Sequence, residues 1–568
     1  MNSETTEEVE APAEPASAAE RAAAPKRFGG YAALVAAGIL LSRVAGLIRT
    51  SVFAHYLGAS PAADAFNVAL KVPNFLQNLL GEGVLSASFI PVYSRLVSRG
   101  DAKEADRVAG VFVSFLAVLV VIVVCVGVLA APLILAVTVP GLDPPVMAMA
   151  VKYTRIMFPG VGLLVLYAWA LGVLNTHRQF FIGYVAPVLW SAAMIATLVI
   201  FGMRMKGFEL ATALAWGTLI GCALQFGIEI PFVLKHARNL SFGLDRTLQP
   251  VRTIFRNIGP VVGGRGVVQI SAYIDTFIAS MLPTGAVSTL LYAQTIYTLP
   301  VSVFGMSVAA AELPQMAGEK GTDEEVKLAL RRRLDRGLRQ VTFFVVPTSV
   351  AFVLLGRIFI AALYQRGVFN ADTTLLVWYI LAAATLGLLV STLGRLYSSG
   401  FYALHDTRTP FRIALTRVSV SAALALLFAF PLRWIFPAIA TSLGLAIPRV
   451  NGGALALGVV GISTASSIGA WVEFFLLRRN MRERIGRGMP QGTYLMSVWT
   501  AALWGGVAGL AADLYIARWL VPHLPMPLIA QALIVTGAFG VVYFAAGYAL
   551  RLPEVTATLG RVFKRFRR

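Results

Sequence analysis

The chain has 568 residues, of which 57% are hydrophobic and only 13% are charged, and its mean hydropathy is +0.74. A soluble protein of this length needs far more charge to cover its surface, so the composition indicates a polytopic membrane protein. The net charge of +20 would suit nucleic acid if it formed one basic surface, but the bases lie mostly in short segments between apolar runs. We therefore expect no nucleic-acid partner.

The N-terminal segment and the cysteines carry no catalytic signal. Residues 1–27 contain six glutamates with many alanines and prolines, which predicts a disordered cytoplasmic tail without a signal peptide. Cys125 and Cys222 lie in apolar runs at no metal-ligand spacing, so we expect packing residues and no metal site.

Fourteen hydrophobic segments are long enough, at about twenty residues or more, to cross a bilayer as helices. The runs lack an alternating pattern and are too long for spanning strands, so the predicted fold is all-α. The fourteen predicted transmembrane helices lie near 30–52, 63–92, 108–138, 146–174, 181–202, 208–234, 255–282, 286–316, 340–363, 373–403, 411–431, 452–477, 494–519 and 526–550.

Lysine and arginine predict the orientation of these helices. The two tails and every second connection hold 34 of the 48 bases, which predicts that both termini are cytoplasmic. A base inside a span is costly and marks a candidate functional position. The eight bases inside or at the margin of spans are Arg43, Arg49, Lys71, Lys152, Arg155, Arg265, Arg357 and Arg395.

Three matches in the same order indicate an internal repeat. "LNTHRQFF" (174–181) and "LHDTRTPF" (404–411) share Leu, Arg and Phe; Pro73 and Pro300 each interrupt the second span of a set; Arg43 and Arg265 each lie in the first. Two six-helix halves in parallel orientation are predicted, with spans 13 and 14 as an appended pair. Shared hydropathy alone is the competing explanation.

The second span carries a polar stripe. Polar residues at intervals of three and four lie on one face of a helix, which must line a wet cavity or a protein interface. The residues of this stripe are Asp64, Asn67, Lys71, Asn74, Asn78 and Glu82.

The first span carries two arginines about 120° apart on a helix, Arg43 and Arg49, with Gly46 between them. With Lys71 and Arg265 they would give a cavity between the halves a surplus of positive charge. Such a cavity suits an anion, and arginine binds phosphate through paired donors. The alternative is that both arginines reach lipid headgroups or pair with Asp64.

Segment 42–94, "SRVAGLIRTSVFAHYLGASPAADAFNVALKVPNFLQNLLGEGVLSASFIPVYS", resembles the N-terminal signature of the lipid II flippase family (MurJ, or MviN). "GFYALHDTRTP" (400–410) resembles the corresponding motif of that family's second half. The resemblance implies the V-shaped, two-lobe fold of the multidrug/oligosaccharidyl-lipid/polysaccharide exporter superfamily. It also implies a bacterial inner-membrane transporter, not an enzyme, for undecaprenyl-pyrophosphate-linked disaccharide-pentapeptide (lipid II).

The resemblance also implies site residues. It assigns the essential cavity arginines to Arg43 and Arg49, and the essential acid to Asp64. Further cavity positions fall on Gly46, Ala54, Lys71, Asn74 and Glu82, and we add Arg265 and Ser288 from the polar residues of spans 7 and 8. The implied domains are a tail (1–27), a first lobe (28–234), a second lobe (235–490), a lipid-tail groove (491–551) and a basic cytoplasmic tail (552–568).

The chain departs from the family motif at several positions. Thr50 follows Arg49 where some members have an aspartate, Gln77 and Asn78 occupy a paired-arginine position, and Thr295 stands where the span-8 arginine is expected. We hypothesise that Arg265 supplies the missing cation.

No cofactor is expected, and no ATP-binding P-loop motif is present in the sequence. The energy source would then be a cation gradient (Na⁺ or H⁺) or the membrane potential, with Asp275 and Asp406 as candidate coupling acids. Asp275 could instead pair with a base, and Asp406 could cap a helix.

Other functions compete with this reading: a flippase for another lipid-linked glycan such as O-antigen, a drug/cation antiporter, or a membrane-embedded glycosyl- or phosphotransferase. The transferase needs clustered carboxylates or a metal site, which the sequence does not suggest. Cell-wall synthesis proteins are further candidate partners.

Overall fold

The computed structural model describes residues 27–78, 84–245, 247–306, 308, 312, 316, 322–404, 406–486, 492–520, 524 and 526–556. These residues form helices and connections without a strand, which confirms the all-α prediction. Glu82 lies outside the described residues, and Arg265 is described only as a backbone position.

Where the structure describes it, the first half contains eight α-helices. They are α1 (Arg27–Leu57), α2 (Pro61–Leu76), α3 (Val84–Ser98), α4 (Ala102–Thr138), α5 (Pro144–Thr176), α6 (Phe180–Phe201), α7 (Gly207–Gly227) and α8 (Ile230–His236). The described part of the second half and of the appended pair contains eleven α-helices of more than three residues. They are α9 (Gln249–Ser280), α10 (Ala286–Pro300), α11 (Asp323–Leu354), α12 (Gly356–Tyr364), α13 (Ala371–Thr385), α14 (Leu388–Ala403), α15 (Arg408–Ala429), α16 (Ile435–Ser442), α17 (Gly458–Ile485), α18 (Gly492–Ala511) and α19 (Pro527–Ala549).

Helices coincide with all fourteen predicted segments. Ten described spans are long and apolar enough to cross a membrane, and the bent pair α13–α14 makes an eleventh. The remaining three segments lie at α1, α2–α3 and α9. Because all three are helical among the described residues, fourteen crossings is consistent with the structure.

Equivalent helix pairs pack together in the two halves. Helix α1 packs on α6 as α9 packs on α15, and α2 packs on α5 as α10 packs on α13. Likewise α6 packs on α7 as α15 packs on α17. Pro73 lies near the end of α2, and Pro300 ends α10 ahead of a π-helical turn, Val301–Met306. Because removal of an N–H disrupts a helix, both second spans are interrupted at matching places. The parallel repeat is confirmed.

The lobes meet chiefly through α2, α3 and α4 of the first lobe and α9 and α10 of the second. We call the side with connections 99–101, 177–179, 237–248 and 404–407 the basic face, and the side with 58–60, 139–143, 281–285 and 365–370 the opposite face.

The appended pair packs on the second lobe. Helices α18 and α19 pack on each other and on α11 and α12. Their apolar contacts form a cluster separate from the main core, in which the Tyr543 hydroxyl donates to the Phe343 carbonyl at 2.7 Å. Trp504, Tyr515 and Val541 remain exposed, as expected of helices that face lipid.

Candidate substrate cavity

A cavity of about 470 Å³ lies between the lobes. Helices α1, α5 and α6 form its wall in the first lobe, and α10 forms its wall in the second. Its lining residues are Ile39, Ser42, Arg43, Gly46, Leu47, Arg49, Thr50, Tyr167, Leu171, Tyr184, Pro187, Trp190, Ser191, Thr295, Thr298 and Leu299.

Both arginines of the first span line this cavity. Arg43 is exposed to it, and the Arg49 guanidinium lies over the Trp190 ring, 4.4 Å from the centroid. A cation on an aromatic face is attracted to the ring's electron density, and the indole also limits the positions that Arg49 can take. The prediction that both arginines border one opening is confirmed as geometry. A role in substrate binding stays a prediction.

The rest of the lining carries no carboxylate among the described residues. Thr295 and Thr298 supply neutral hydroxyls from the second lobe, and a Cβ on Gly46 would meet no atom within 4 Å. The sequence difference at Thr295 thus leaves the described second-lobe wall uncharged. This arrangement concentrates positive charge on α1, which favours an anionic ligand.

Asp64 lies outside this cavity, at a seal between the lobes. It is buried, and its carboxylate accepts hydrogen bonds from the Gly285 N–H (2.5 Å), the Ser288 N–H (2.8 Å) and the Ser288 hydroxyl (2.5 Å). Gly285 and Ser288 are at the start of α10, where free N–H groups and the helix dipole attract an anion. Asp64 of the first lobe therefore caps a helix of the second.

Further contacts surround this cap at the opposite face. The Tyr292 hydroxyl donates to the Gly58 carbonyl (2.7 Å), and the Val368 N–H donates to the His55 carbonyl (3.0 Å). Asn67 donates to the Ser288 hydroxyl at 3.1 Å. We call these contacts, with the Asp64 cap, the interlobe seal. It closes the opposite-face side of the cavity, so Asp64 and Ser288 do not line the cavity in this conformation.

The other predicted cavity positions divide between the interface and the core. The Lys71 ammonium donates to the Thr276 hydroxyl of α9, and the Tyr273 hydroxyl donates to the Lys71 carbonyl at 2.6 Å. Asp64, Asn67 and Lys71 of the polar stripe thus lie at an interface between the lobes, which was one of the two sequence alternatives. Ala54 is fully buried and Asn74 is half-buried, and neither lines the cavity. Substrate contact by these residues stays untested.

Asp275 lies in a polar cluster of α9, α15 and α17. Its carboxylate accepts from the Ser466 hydroxyl at 3.5 Å, and Lys71 and Arg417 interact with it electrostatically. Arg417 also forms an ion pair of 2.6 Å with Glu473. Neither Arg417 nor Glu473 was singled out from the sequence, because only packing of α15 on α17 brings them together.

Asp406 precedes α15 and accepts from the backbone N–H groups of Arg408 and Thr409, both at 3.0 Å. It also pairs with Arg484 at 2.5 Å. These contacts give Asp406 the geometry of a helix cap, which the sequence offered as the alternative to ion coupling. The backbone N–H and hydroxyl of Thr409 lower the pKa of the Asp406 carboxyl, with smaller contributions from Arg484 and the Arg408 N–H.

We expect Asp406→Ala to lower the free energy of unfolding by about 0.5–2 kcal/mol, the usual cost of losing a cap. Because folding lowers the pKa of Asp406, its contribution is complete above the ordinary pKa of an aspartate and is lost as the pH falls through the folded-state value. Thermal unfolding in detergent at several pH values measures both effects. Asp406→Asn, which keeps a capping oxygen and loses the charge, separates the cap from the Arg484 pair.

Three aromatic residues of the cavity lining were missed from the sequence: Trp190, Tyr167 and Tyr184. They lie on α5 and α6, in runs that read as ordinary apolar spans. An aromatic residue in such a run is more often in a core, so nothing local marked Trp190 as the partner of Arg49.

The chain is similar to known proteins over most of its length. A family profile described as "Lipid II flippase MurJ" matches residues 53–451. A "Lipid II flippase MurJ" of Burkholderia cenocepacia is 34% identical over 387 residues, covering 66% of this chain and 73% of that protein. A "Probable lipid II flippase MurJ" of Rhizobium meliloti is 30% identical over 535 residues, covering 91% and 93%.

Solved structures show the same fold. A structure titled "Lipid II flippase MurJ, inward closed conformation" superposes with a TM-score of 0.71 at 23% identity, covering 91% of this chain and 99% of that one. An inward-facing multidrug resistance MATE family transporter of the MOP superfamily gives 0.59 at 16% identity, covering 78% and 95%. The predicted two-lobe fold with an appended pair is confirmed.

Proposed function

The chain belongs to the MurJ family of lipid II flippases, and from that premise we propose that it carries lipid II from the cytoplasmic to the periplasmic leaflet of the bacterial inner membrane. The observation that supports this activity most directly is the cavity between the lobes, with Arg43 and Arg49 on one wall and no described carboxylate in its lining.

In this proposal the two arginines bind the pyrophosphate. Each guanidinium presents donors in a planar fork that fits two phosphate oxygens, and a charge-assisted hydrogen bond contributes about 1.5–3 kcal/mol. Trp190 holds Arg49 at the cavity wall. Gly46 leaves space beside both arginines, and the hydroxyls of Thr295 and Thr298 suit the sugar and peptide groups.

The polyprenyl tail would stay in lipid throughout. Transfer of the tail into a polar cavity would lose about 0.8 kcal/mol for each CH₂. The exposed apolar faces of α18 and α19 support the proposal that residues 491–551 form a groove for the tail.

Transport would proceed by alternating access. We take the basic face as cytoplasmic, because its connections and the two tails hold most of the bases. The described conformation then has its interlobe seal on the periplasmic side. Release of the headgroup requires that the Asp64 cap on α10 break as the lobes rock apart.

For the energy source we retain a cation gradient or the membrane potential. Of the two candidate acids, Asp275 has the better position, since it faces the lobe interface beside Lys71. The Asp406 carboxylate already caps α15 and pairs with Arg484.

The direct test uses purified protein in liposomes that contain lipid II in both leaflets. A membrane-impermeant probe added outside reacts only with lipid II headgroups of the outer leaflet. The protected lipid II of the inner leaflet should become accessible to the probe only when the protein is active. Parallel vesicles carry an undecaprenyl-linked O-antigen-type glycan, or a cationic drug, in place of lipid II. Selective movement of lipid II supports the proposal, and selective movement of either alternative contradicts it.

Arg265 gives a separate prediction. If it replaces the missing span-8 cation, Arg265→Ala should reduce externalised lipid II in cells whose own flippase is depleted, although its thermal stability stays close to that of the wild type. Arg155→Ala is the matched control, because Arg155 is an exposed base of α5 that bonds the Val128 carbonyl. If Arg265→Ala retains full function, Arg265 does not supply the missing span-8 cation.

A further inference from the structure

A carboxyl group that the proposed transport cycle does not use lies inside the first lobe. Glu229 is fully buried, and neither of its carboxylate oxygens has a hydrogen-bond partner among the described residues. Glu229 lies in the two-residue interruption between α7 and α8, ahead of Pro231, and its side chain does not cap α8.

Its surroundings place it directly behind the cavity wall. Glu229 Oε1 lies 3.3 Å from the point where a Cβ on Gly183 would stand, and the Tyr167 hydroxyl donates to the Gly183 carbonyl at 2.8 Å. Tyr167 and the adjacent Tyr184 line the cavity. Glu229 is therefore separated from the cavity by a single layer of residues.

The electrostatic cost decides the state of this carboxyl. An ionised carboxylate without a hydrogen bond or a paired cation is very unfavourable in a buried site, whereas the neutral acid costs far less. In the described conformation Glu229 is thus most stable with a proton bound to one oxygen. Binding forms one O–H bond and needs no other reactant.

Two imidazoles lie near the end of α8 that is closest to the basic face. His236 follows Glu229 by two helical turns, about 10 Å, and its ring lies 5.3 Å from that of His177. His177 Nε2 is in turn 3.0 Å from the Tyr93 hydroxyl. Both imidazoles are partly exposed at this face.

Several titratable groups on neighbouring helices form hydrogen bonds with other partners. Asp64 and Lys71 of α2 bond to the second lobe, and Asp106 of α4 accepts from the Asn239 N–H. Arg43 and Arg49 face the cavity. Further titratable groups lie on α7, on α8 and on the helices that pack against them: Lys152, Tyr153, Arg155, Tyr167, Tyr184, Glu209, Cys222 and Lys235.

We propose that Glu229 is a proton-binding site of the first lobe, reached from the basic face past His177 and His236, which holds its proton in the sealed conformation and releases it when the lobe rearranges. Proton release would then be linked to the shape of the cavity through Tyr167 and Gly183. The link to transport rests on the proposed flippase function, but the proton site itself does not.

Infrared spectroscopy of the purified protein tests the site without any transport. We expect a carbonyl-stretch band of a neutral, weakly bonded carboxylic acid at neutral pH in the wild type, and its loss in Glu229→Gln. Glu473→Gln is the matched control, because Glu473 is ion-paired with Arg417 and should contribute no such band. Absence of the band in the wild type, or its persistence in Glu229→Gln, overturns the proposal.

Liposomes with an imposed pH gradient test the link to transport. We expect the lipid II flipping rate of the wild type to depend on the direction of the gradient, and the ratio of the two rates to fall to about one in Glu229→Gln. An unchanged ratio in Glu229→Gln contradicts the link. A wild type that moves no lipid II while the infrared band behaves as expected contradicts the flippase function and leaves the proton site supported.

Discussion

Simultaneous replacement of Arg43 and Arg49 by alanine should abolish lipid II externalisation. Two charge-assisted contacts of about 1.5–3 kcal/mol each correspond to a loss of about 10²–10⁴-fold in affinity for the pyrophosphate. The measurement is externalised lipid II, detected with a periplasm-only probe, in a bacterium depleted of its own flippase and expressing either form at matched levels.

Two further variants make the result specific. Arg155→Ala removes an arginine outside the cavity and should leave externalisation intact. Arg49→Lys keeps the charge but loses the planar fork and its fit on Trp190, so it should fall between the wild type and the double variant. If the double variant restores externalisation as well as the wild type, the two arginines do not bind the phosphates.

Replacement of Asp64 by alanine should open the interlobe seal. Asp64→Ala leaves the N–H groups of Gly285 and Ser288 without an acceptor, and each unsatisfied buried donor costs about 1–3 kcal/mol. A cost of about 2–6 kcal/mol, borne only by the sealed conformation, shifts the population toward opening at the opposite face by at least about tenfold.

Cysteine labelling can follow that shift. Val287, 1% exposed at the seal, is changed to cysteine in a background in which Cys125 and Cys222 are alanine. A membrane-impermeant thiol reagent added from the periplasmic side should react faster when Asp64→Ala is present. Asp372→Ala is the matched control, since Asp372 bonds the Arg449 N–H within the second lobe. Equal labelling rates in all three proteins would show that Asp64 does not hold the seal.

The two arginines show how much of a site a sequence pattern can predict. Their spacing on one helix predicted that both would border one opening, because a helix fixes the angle between side chains six residues apart. The same local geometry explains why the stripe of α2 was assigned correctly to a cavity or an interface. It could not decide between these two, since the choice depends on what packs against α2.

Asp64 shows where the pattern stops. The motif identified it as a cavity acid, but in the described conformation it caps α10 from the other lobe, 221 residues away along the chain at Gly285. The contacts of Trp190 with Arg49 and of Glu473 with Arg417 could not be predicted either, because they depend on how separate helices pack within each lobe.

The sequence by itself determined the helical class, the positions of the apolar helices, the repeat and the cationic face of α1, because hydropathy, helix periodicity and the cost of buried charge act locally. Only the tertiary structure decided which polar groups line the cavity and which hold the lobes together. It also decided which, like Glu229, are buried without a hydrogen-bond partner among the described residues. Those outcomes depend on the side chains that distant helices bring into contact.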